Sequence, residues 1–331
     1  MREYSNFCII LSSFIAVVVY TQDVYNMSGV QLIQLLGEVI QVREGDVRDA
    51  DVSFYLSTRK NSKAPKLIER ENNKEIDVRK PTKFIIHGWI ENYKVGWYED
   101  MKNELLKYED VNVIYVDWER VAKSYYISSA KNTKLVGDLI GRFTVENRFP
   151  PENVHLIGHS LGSHVAGFAS KYFKRSTGSR IKRISALDAA GPYFRLPDIS
   201  ENEKLSRDDA EIVDAMHTDA RFLGMESPVG TLDIYVNGGS RRQPGCNDGG
   251  LSLELHEVLK NNLCSHARSH QYFIQSINNA DIVCKKCSSY EGLKNNDCSE
   301  SDVYRIVHQN ITSDMKGICA AFTSTSPPYF V

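Results

Sequence analysis

An α/β domain with a mostly parallel central sheet, covered by helices on both faces, is what this sequence predicts. Apolar, β-branched runs recur at Phe84-Ile85-Ile86, Val111 to Val116, Val154 to Ile157, Ile181 to Leu187, Ile212 to Met216 and Leu232 to Val236, with helical stretches between them. Strands alternating with helices pair in parallel, because each crossover helix returns the chain to the same edge. The bulk composition agrees: 331 residues, 42% hydrophobic and 25% charged, suffice for one large domain. A net charge of −2 with both signs interspersed argues against a nucleic-acid partner held by a basic stripe.

The N-terminus carries Arg2, then an apolar run from Phe7 to Tyr20 (FCIILSSFIAVVVY), then polar Thr21-Gln22-Asp23. That run is shorter than the ~20 residues a bilayer span needs and fits the core of a signal peptide. Residues 1–22 therefore read as a leader, with room for a short pro-segment to about residue 46, and residues 23–331 as one domain. Secretion changes how the seven cysteines are read. Cys8 lies in the leader, which leaves Cys246, Cys264, Cys284, Cys287, Cys298 and Cys319, an even set suited to disulfides. Cys284-x-x-Cys287 resembles half a zinc site, but no second C-x-x-C stands at ribbon spacing. The sequons at Asn26 and Asn310 agree with a secretory route as glycosylation candidates. The short part after Cys284 reads as a disulfide-stapled C-terminal extension rather than a second domain.

Three of the strand ends carry polar residues, at the edge of the sheet where ligands bind in such folds. Gly158-His159-Ser160-Leu161-Gly162 sits between a strand and a helix, a turn that pushes the serine oxygen out of the sheet while the glycines keep Cβ atoms away. A serine hydroxyl is a poor nucleophile near neutral pH and needs a base, with an acid to orient that base. In the α/β-hydrolase fold, where this turn recurs, the chain order is serine, acid, histidine. That order removes His87, His155, His159 and His164. It leaves His217, His256, His266 and His270, with His308 far out in the extension. His266 follows Cys264 by two residues, so a disulfide there would fix its loop as a preorganised base requires. His270 and His217 stay open as alternatives, and His256 falls in an amphipathic segment. Asp188, ending the strand after the Ser160 unit, is the natural acid; a helix cap or turn residue is the plain alternative. The oxyanion of acyl transfer needs two backbone N–H groups, one from Leu161 and one from the loop after an earlier strand. His87-Gly88-Trp89 is placed for the second, since Gly88 lets the backbone turn the Trp89 N–H toward the site.

The blocks FIIHGW, VNVIYVDW, NVHLIGHSLGSHVAGFA, ISALDAAGP, DAMHTD, LDIYVNGG, QPGC and CSHARS, in this order from about Val52 to Cys264 and beyond, resemble the pancreatic lipase family of secreted lipases and phospholipases A1. The resemblance implies a catalytic triad of Ser160, Asp188 and His266, the last through the C-x-H-x-R-S pattern at Cys264 to Ser269. It implies oxyanion amides at Trp89 and Leu161. None of the catalytic positions is substituted, which speaks against a non-catalytic lipid-binding or storage protein on the same scaffold.

Departures from the family pattern narrow the expectation. No C-terminal β-sandwich of the kind that docks colipase is expected, so no colipase partner is either. The loop from His217-Thr218-Asp219 to Leu232-Asp233 is short, as in the phospholipase A1 members, and leaves room for a polar headgroup. The similarity is therefore read as closest to the secreted, venom-type insect phospholipases A1. Cys246 and Cys264, expected to pair, enclose the position of the family's lid, NDGGLSLELHEVLKNNL, where Leu251, Leu255, Val258, Leu259 and Leu263 recur at helical spacing. An amphipathic helix there lies on the site or on a lipid surface, unless it is an ordinary surface helix. Among the last four cysteines, Cys287 with Cys298 and Cys284 with Cys319 is favoured of the three possible pairings, because it nests the shorter loop inside the longer. The family's calcium loop maps onto Glu201 to Asp209, but Lys204 and Ser206 stand in its ligand region, so no metal is expected, nor any organic cofactor. The sequence thus predicts a secreted, monomeric serine esterase acting on phospholipid membranes or lipid aggregates and cleaving the sn-1 ester of glycerophospholipids, with triacylglycerol hydrolysis as the alternative.

Overall fold

The computed structural model describes residues 42–71, 73–246, 255–278 and 282–330, with the backbone alone at 255–262. The expected leader, Asn26 and Leu251 lie outside the described residues. Every apolar run read as a strand enters one sheet. Its strands are β1 (Ser53–Ser57), β2 (Lys66–Ile68), β3 (Thr82–Ile86), β4 (Asn112–Asp117), β5 (Val154–His159), β6 (Ile181–Leu187), β7 (Ala210–His217), β8 (Leu232–Val236), β9 (Ile282–Cys287), β10 (Cys298–Ile306) and β11 (Gly317–Ala321). Their order is β10-β9-β11-β8-β7-β6-β5-β3-β4-β1-β2. From β4 across to β11 every neighbouring pair is parallel.

The helices between them are α1 (Gly96–Tyr108), α2 (Glu119–Ala122), α3 (Tyr126–Glu146), α4 (Leu161–Thr177), α5 (Leu255–Ile277) and α6 (Tyr290–Lys294). Side chains alternate across a strand, so the central strands feed two cores. Phe84, Ile86, Ile114, Leu156 and Ile184 pack with Val136, Ile140 and Phe143 of α3 and Val165, Ala169 and Phe173 of α4. Ile85, Val113, Ile157 and Leu187 face the other way, onto Trp97, Met101 and Leu105 of α1 and Phe273 and Ile277 of α5. With both faces covered, these strands read as nearly continuous apolar runs, which is why they were visible.

The sequence left the two edges unread. β1 and β2 add to β4 antiparallel at one edge. At the other, the expected extension is part of the sheet: β11 runs parallel to β8, β9 antiparallel to β11, and β10 antiparallel to β9. Its disulfides join neighbouring strands, Cys284 to Cys319 across β9 and β11 and Cys287 to Cys298 across β9 and β10. Cys246 bonds Cys264, which lies within α5. Asn310 is exposed in a turn after β10. Among the described residues no helix is long and apolar enough to cross a membrane.

Candidate active site

The carboxyl ends of β3, β5, β6 and β7 meet at one edge of the sheet, and each delivers a polar residue there. β5 ends at His159, and Ser160 then turns into α4 with φ 55° and ψ −122°, backbone angles that only a sharp elbow demands. The elbow closes only because its neighbours are bare: a Cβ on Gly162 would come within 2.3 Å of the Ile86 carbonyl oxygen, and one on Gly88 within 2.9 Å of the Ser160 Cβ. The Ser160 N–H donates to the Leu187 carbonyl at 3.1 Å, and the Ser160 carbonyl accepts from Ala190 N–H at 3.2 Å, which ties the elbow to both sides of Asp188.

Asp188 follows β6 with φ 48° and is fully buried. Its Oδ1 accepts the Thr218 and Asp219 N–H groups at 2.9 and 3.1 Å, both from the turn after β7. Its Oδ2 lies 2.6 Å from His266 Nδ1. A carboxylate at that distance makes Nδ1 the donor, so Nε2 is the nitrogen left to accept a proton. Burial lowers the His266 pKa and the Asp188 hydrogen bond partly restores it, which keeps the imidazole neutral and ready to act as a base.

The backbone of the loop after β3 runs beside the elbow. Trp89 is anchored by its indole, whose Nε1–H donates to the Ser124 carbonyl at 2.7 Å and whose ring meets Tyr126 edge-on. Leu161 opens α4 with its side chain in the core. Among the described residues neither the Trp89 nor the Leu161 N–H donates to a protein acceptor. The Gly88 N–H, by contrast, donates to Glu91 Oε2 at 2.8 Å.

The model of the Lipase family matches residues 20–308. The chain belongs to the lipase family. Pancreatic lipase-related protein 2 of Mus musculus is 37% identical over 272 residues, 76% of this chain and 55% of that protein. Lipoprotein lipase of Sus scrofa is 36% identical over 281 residues, 76% of this chain and 56% of that protein. Pancreatic triacylglycerol lipase of Cavia porcellus is 34% identical over 269 residues, 75% of this chain and 56% of that protein. The chain thus aligns with a little over half the length of these relatives.

Within this lipase-family domain the other candidate histidines are engaged elsewhere. His217 ends β7 and is locked between Asp233 Oδ1 at 2.8 Å and the Met225 carbonyl at 3.2 Å, stacked on Tyr235. His270, one turn beyond His266, stacks on Trp97 with centroids 5.0 Å apart, and burial pushes its pKa down to about 3. The side chain of His256 is not described. One expectation is corrected: His266 stands within α5 rather than on a loop fixed by Cys264. The helix begins at Leu255, so Leu255, Val258 and Leu259 share one element with His266. The helix runs on past the cysteine, where Phe273 and Ile277 pack in the core shared with α1.

Asp219, which the sequence did not single out, lies fully buried beside Asp188 and His266. Burial, followed by the Asp188 charge, raises its pKa well above the carboxylate range. The loop at Glu201 to Asp209, where the family pattern implies calcium, does not fit a divalent cation. The Lys171 ammonium already stands in it, donating to the Lys204 carbonyl at 2.8 Å and to Asp209 Oδ2 at 2.6 Å, while Ser206 N–H donates to the same carboxylate. A second cation would meet that ammonium instead of a free carboxylate.

Proposed function

We propose that this protein is a secreted serine esterase that hydrolyses the sn-1 acyl ester of glycerophospholipids. The observation that carries the reading is the 2.6 Å bond from His266 Nδ1 to Asp188, formed beside a serine on a strand-to-helix elbow. Ser160 Oγ attacks the ester carbonyl and His266 Nε2 takes its proton. The Trp89 and Leu161 N–H groups hold the oxyanion, and Asp188 stabilises the imidazolium. His266 then gives the proton to the departing glycerol oxygen, leaving an acyl-Ser160 that water cleaves by the same steps in reverse order.

Phospholipid as substrate is supported by the turn between β7 and β8. It folds back on the acid loop instead of over the serine: Gly191 N–H donates to the Leu223 carbonyl at 2.7 Å and Met225 N–H to the Ala189 carbonyl at 2.8 Å. A short loop drawn back in this way fits a substrate with a polar headgroup better than one that folds over the serine. Triacylglycerol is the second reading, favoured by the 34% identity to a pancreatic triacylglycerol lipase. Purified protein given a phospholipid with different acyl chains at sn-1 and sn-2, beside a triglyceride, should release the sn-1 acid and leave a lysophospholipid. Release from the triglyceride alone would transfer the assignment to the second reading.

A further inference from the structure

Glu91 has no part in the mechanism above, yet its carboxylate joins the loop after β3 to α1 and to the residue before Ser160. It lies in the loop after β3, half-buried, with Oε2 accepting the Gly88 N–H at 2.8 Å and facing His159 Nδ1 at 3.5 Å. Its Oε1 accepts the Trp97 indole N–H at 3.1 Å. Gly88 is the residue packed against the Ser160 Cβ, and it precedes Trp89, whose amide is assigned to the oxyanion in the proposed mechanism. His159 immediately precedes Ser160, and its ring lies 4.6 Å from that of His266. One carboxylate therefore bridges the oxyanion loop, the residue before the nucleophile and the surroundings of the base.

We propose that Glu91 is a positioning residue for acyl transfer: it fixes the oxyanion loop through Gly88, and its negative charge beside His159 stabilises the positive charge that His266 takes on when Ser160 loses its proton. The inference rests on the esterase reading. Charged and titratable groups face this cluster from each packed element: His87 after β3, with Asp117 of β4 at 3.3 Å from it, His159 of β5, Asp188 and Asp219 after β6 and β7, His266 and His270 of α5, and Tyr98 of α1. Burial raises the pKa of Asp219 and of Tyr98 and so disfavours their charged forms, while at His266 the hydrogen bond and charge of Asp188 and the charge of Glu91 favour protonation and a charge on His159 opposes it. Burial opposes the Glu91 charge, but His159, His87 and the Gly88 amide outweigh it and hold the carboxyl below its ordinary range. A strut would need only the hydrogen bonds; a charge that bears on the base must also show in the pH dependence.

The test uses a short, soluble ester, so that no lipid surface intervenes. Glu91→Gln keeps the size and one acceptor but removes the charge. The expected result is a kcat about tenfold lower, a KM within about twofold of wild type, and an acidic limb of kcat/KM displaced to lower pH, because His266 has lost an anion that favours its protonation. Wild-type kcat in this variant overturns the proposal, and so does a lower kcat with the acidic limb unmoved. If Glu91→Gln does not fold, Glu91→Asp decides. With the charge kept but drawn back from Gly88, kcat should fall while the limb stays, and an unchanged kcat overturns the proposal. Wild-type protein no more active than Ser160→Ala overturns the esterase reading and this proposal with it; active wild type with an unchanged Glu91→Gln overturns the proposal alone.

Discussion

Ser160 occupies a backbone conformation at φ 55° that costs of order 1–3 kcal/mol for a residue with a Cβ. Ser160→Ala should keep the fold and lower ester hydrolysis by about a thousandfold or more, since the triad acts as a unit. Activity within tenfold of wild type would remove the nucleophile assignment. Ser160→Gly should be equally inactive yet raise the unfolding free energy by about 1 kcal/mol, because glycine accepts that φ. A urea midpoint at or below that of wild type would show that the elbow stores no strain. His266→Ala should match the loss of Ser160→Ala, whereas His270→Ala should leave turnover largely intact; reversed outcomes would move the base by one turn of α5. Ser160 and Asp188 stood out as candidates because an elbow leaves a signature of flanking glycines and an acid at the next strand end follows it, whereas chain order left several histidines open and only the resemblance at Cys264 to Ser269 singled out His266. Glu91 was not legible. An acid shortly after a strand looks like any turn residue until His159 and Trp97 fold against it.

At the level of single elements, the central strands could be read and the edges could not, for one physical reason. A strand buried on both faces must be apolar throughout, whereas β10 at the edge (CSESDVYRI) is exposed or half-buried until its last residue and carries the composition of a loop. α5 runs unbroken from Leu255 through Cys264 to Ile277, and a cysteine paired with a distant one carries no mark of helix or loop in the sequence. The disulfide between Cys284 and Cys319 closes a loop with a sequence separation of 35, worth about 4 kcal/mol in the chain-entropy estimate. A Cys284→Ser, Cys319→Ser double variant should lose stability of that order in urea, and an unchanged midpoint would show that the sheet alone holds β11. The segment from Glu201 to Asp209 depends on an ammonium instead. Lys171→Met strands the largely buried Asp209 carboxylate and should cost about 3–5 kcal/mol, while a chelator added to wild type should change neither its melting temperature nor its turnover. Inactivation by chelator would contradict the role given to Lys171.

Taken as a whole, the molecule buries more imidazole than its site uses. His155 and His308 stack face to face at 5.5 Å near Arg183, Lys83 and Glu109, and His164 bridges the Leu205 N–H to the Ala190 carbonyl. Burial is the main reason that all three stay neutral far below the ordinary value of 6.5, with His164 lowered to about 3. Below about 6.5 the unfolded chain therefore binds protons that the fold refuses. Stability should be level above that pH and fall as pH drops below it, by up to ~1.4 kcal/mol per pH unit for each histidine. Urea midpoints measured from pH 8 to 4 would check this, and a flat profile would mean that these rings protonate in place. The order of the strands has a consequence for a chain still being made. β11, at 317–321, joins β8 on one side and β9 on the other, and it is synthesised after both. Until it emerges, the β9–β10 hairpin has no partner, and β8 shows the apolar, unpaired rim on which another molecule can add a strand. Every copy thus passes through a sticky interval between the emergence of β8 and that of β11, and a slower passage should favour association of nascent chains.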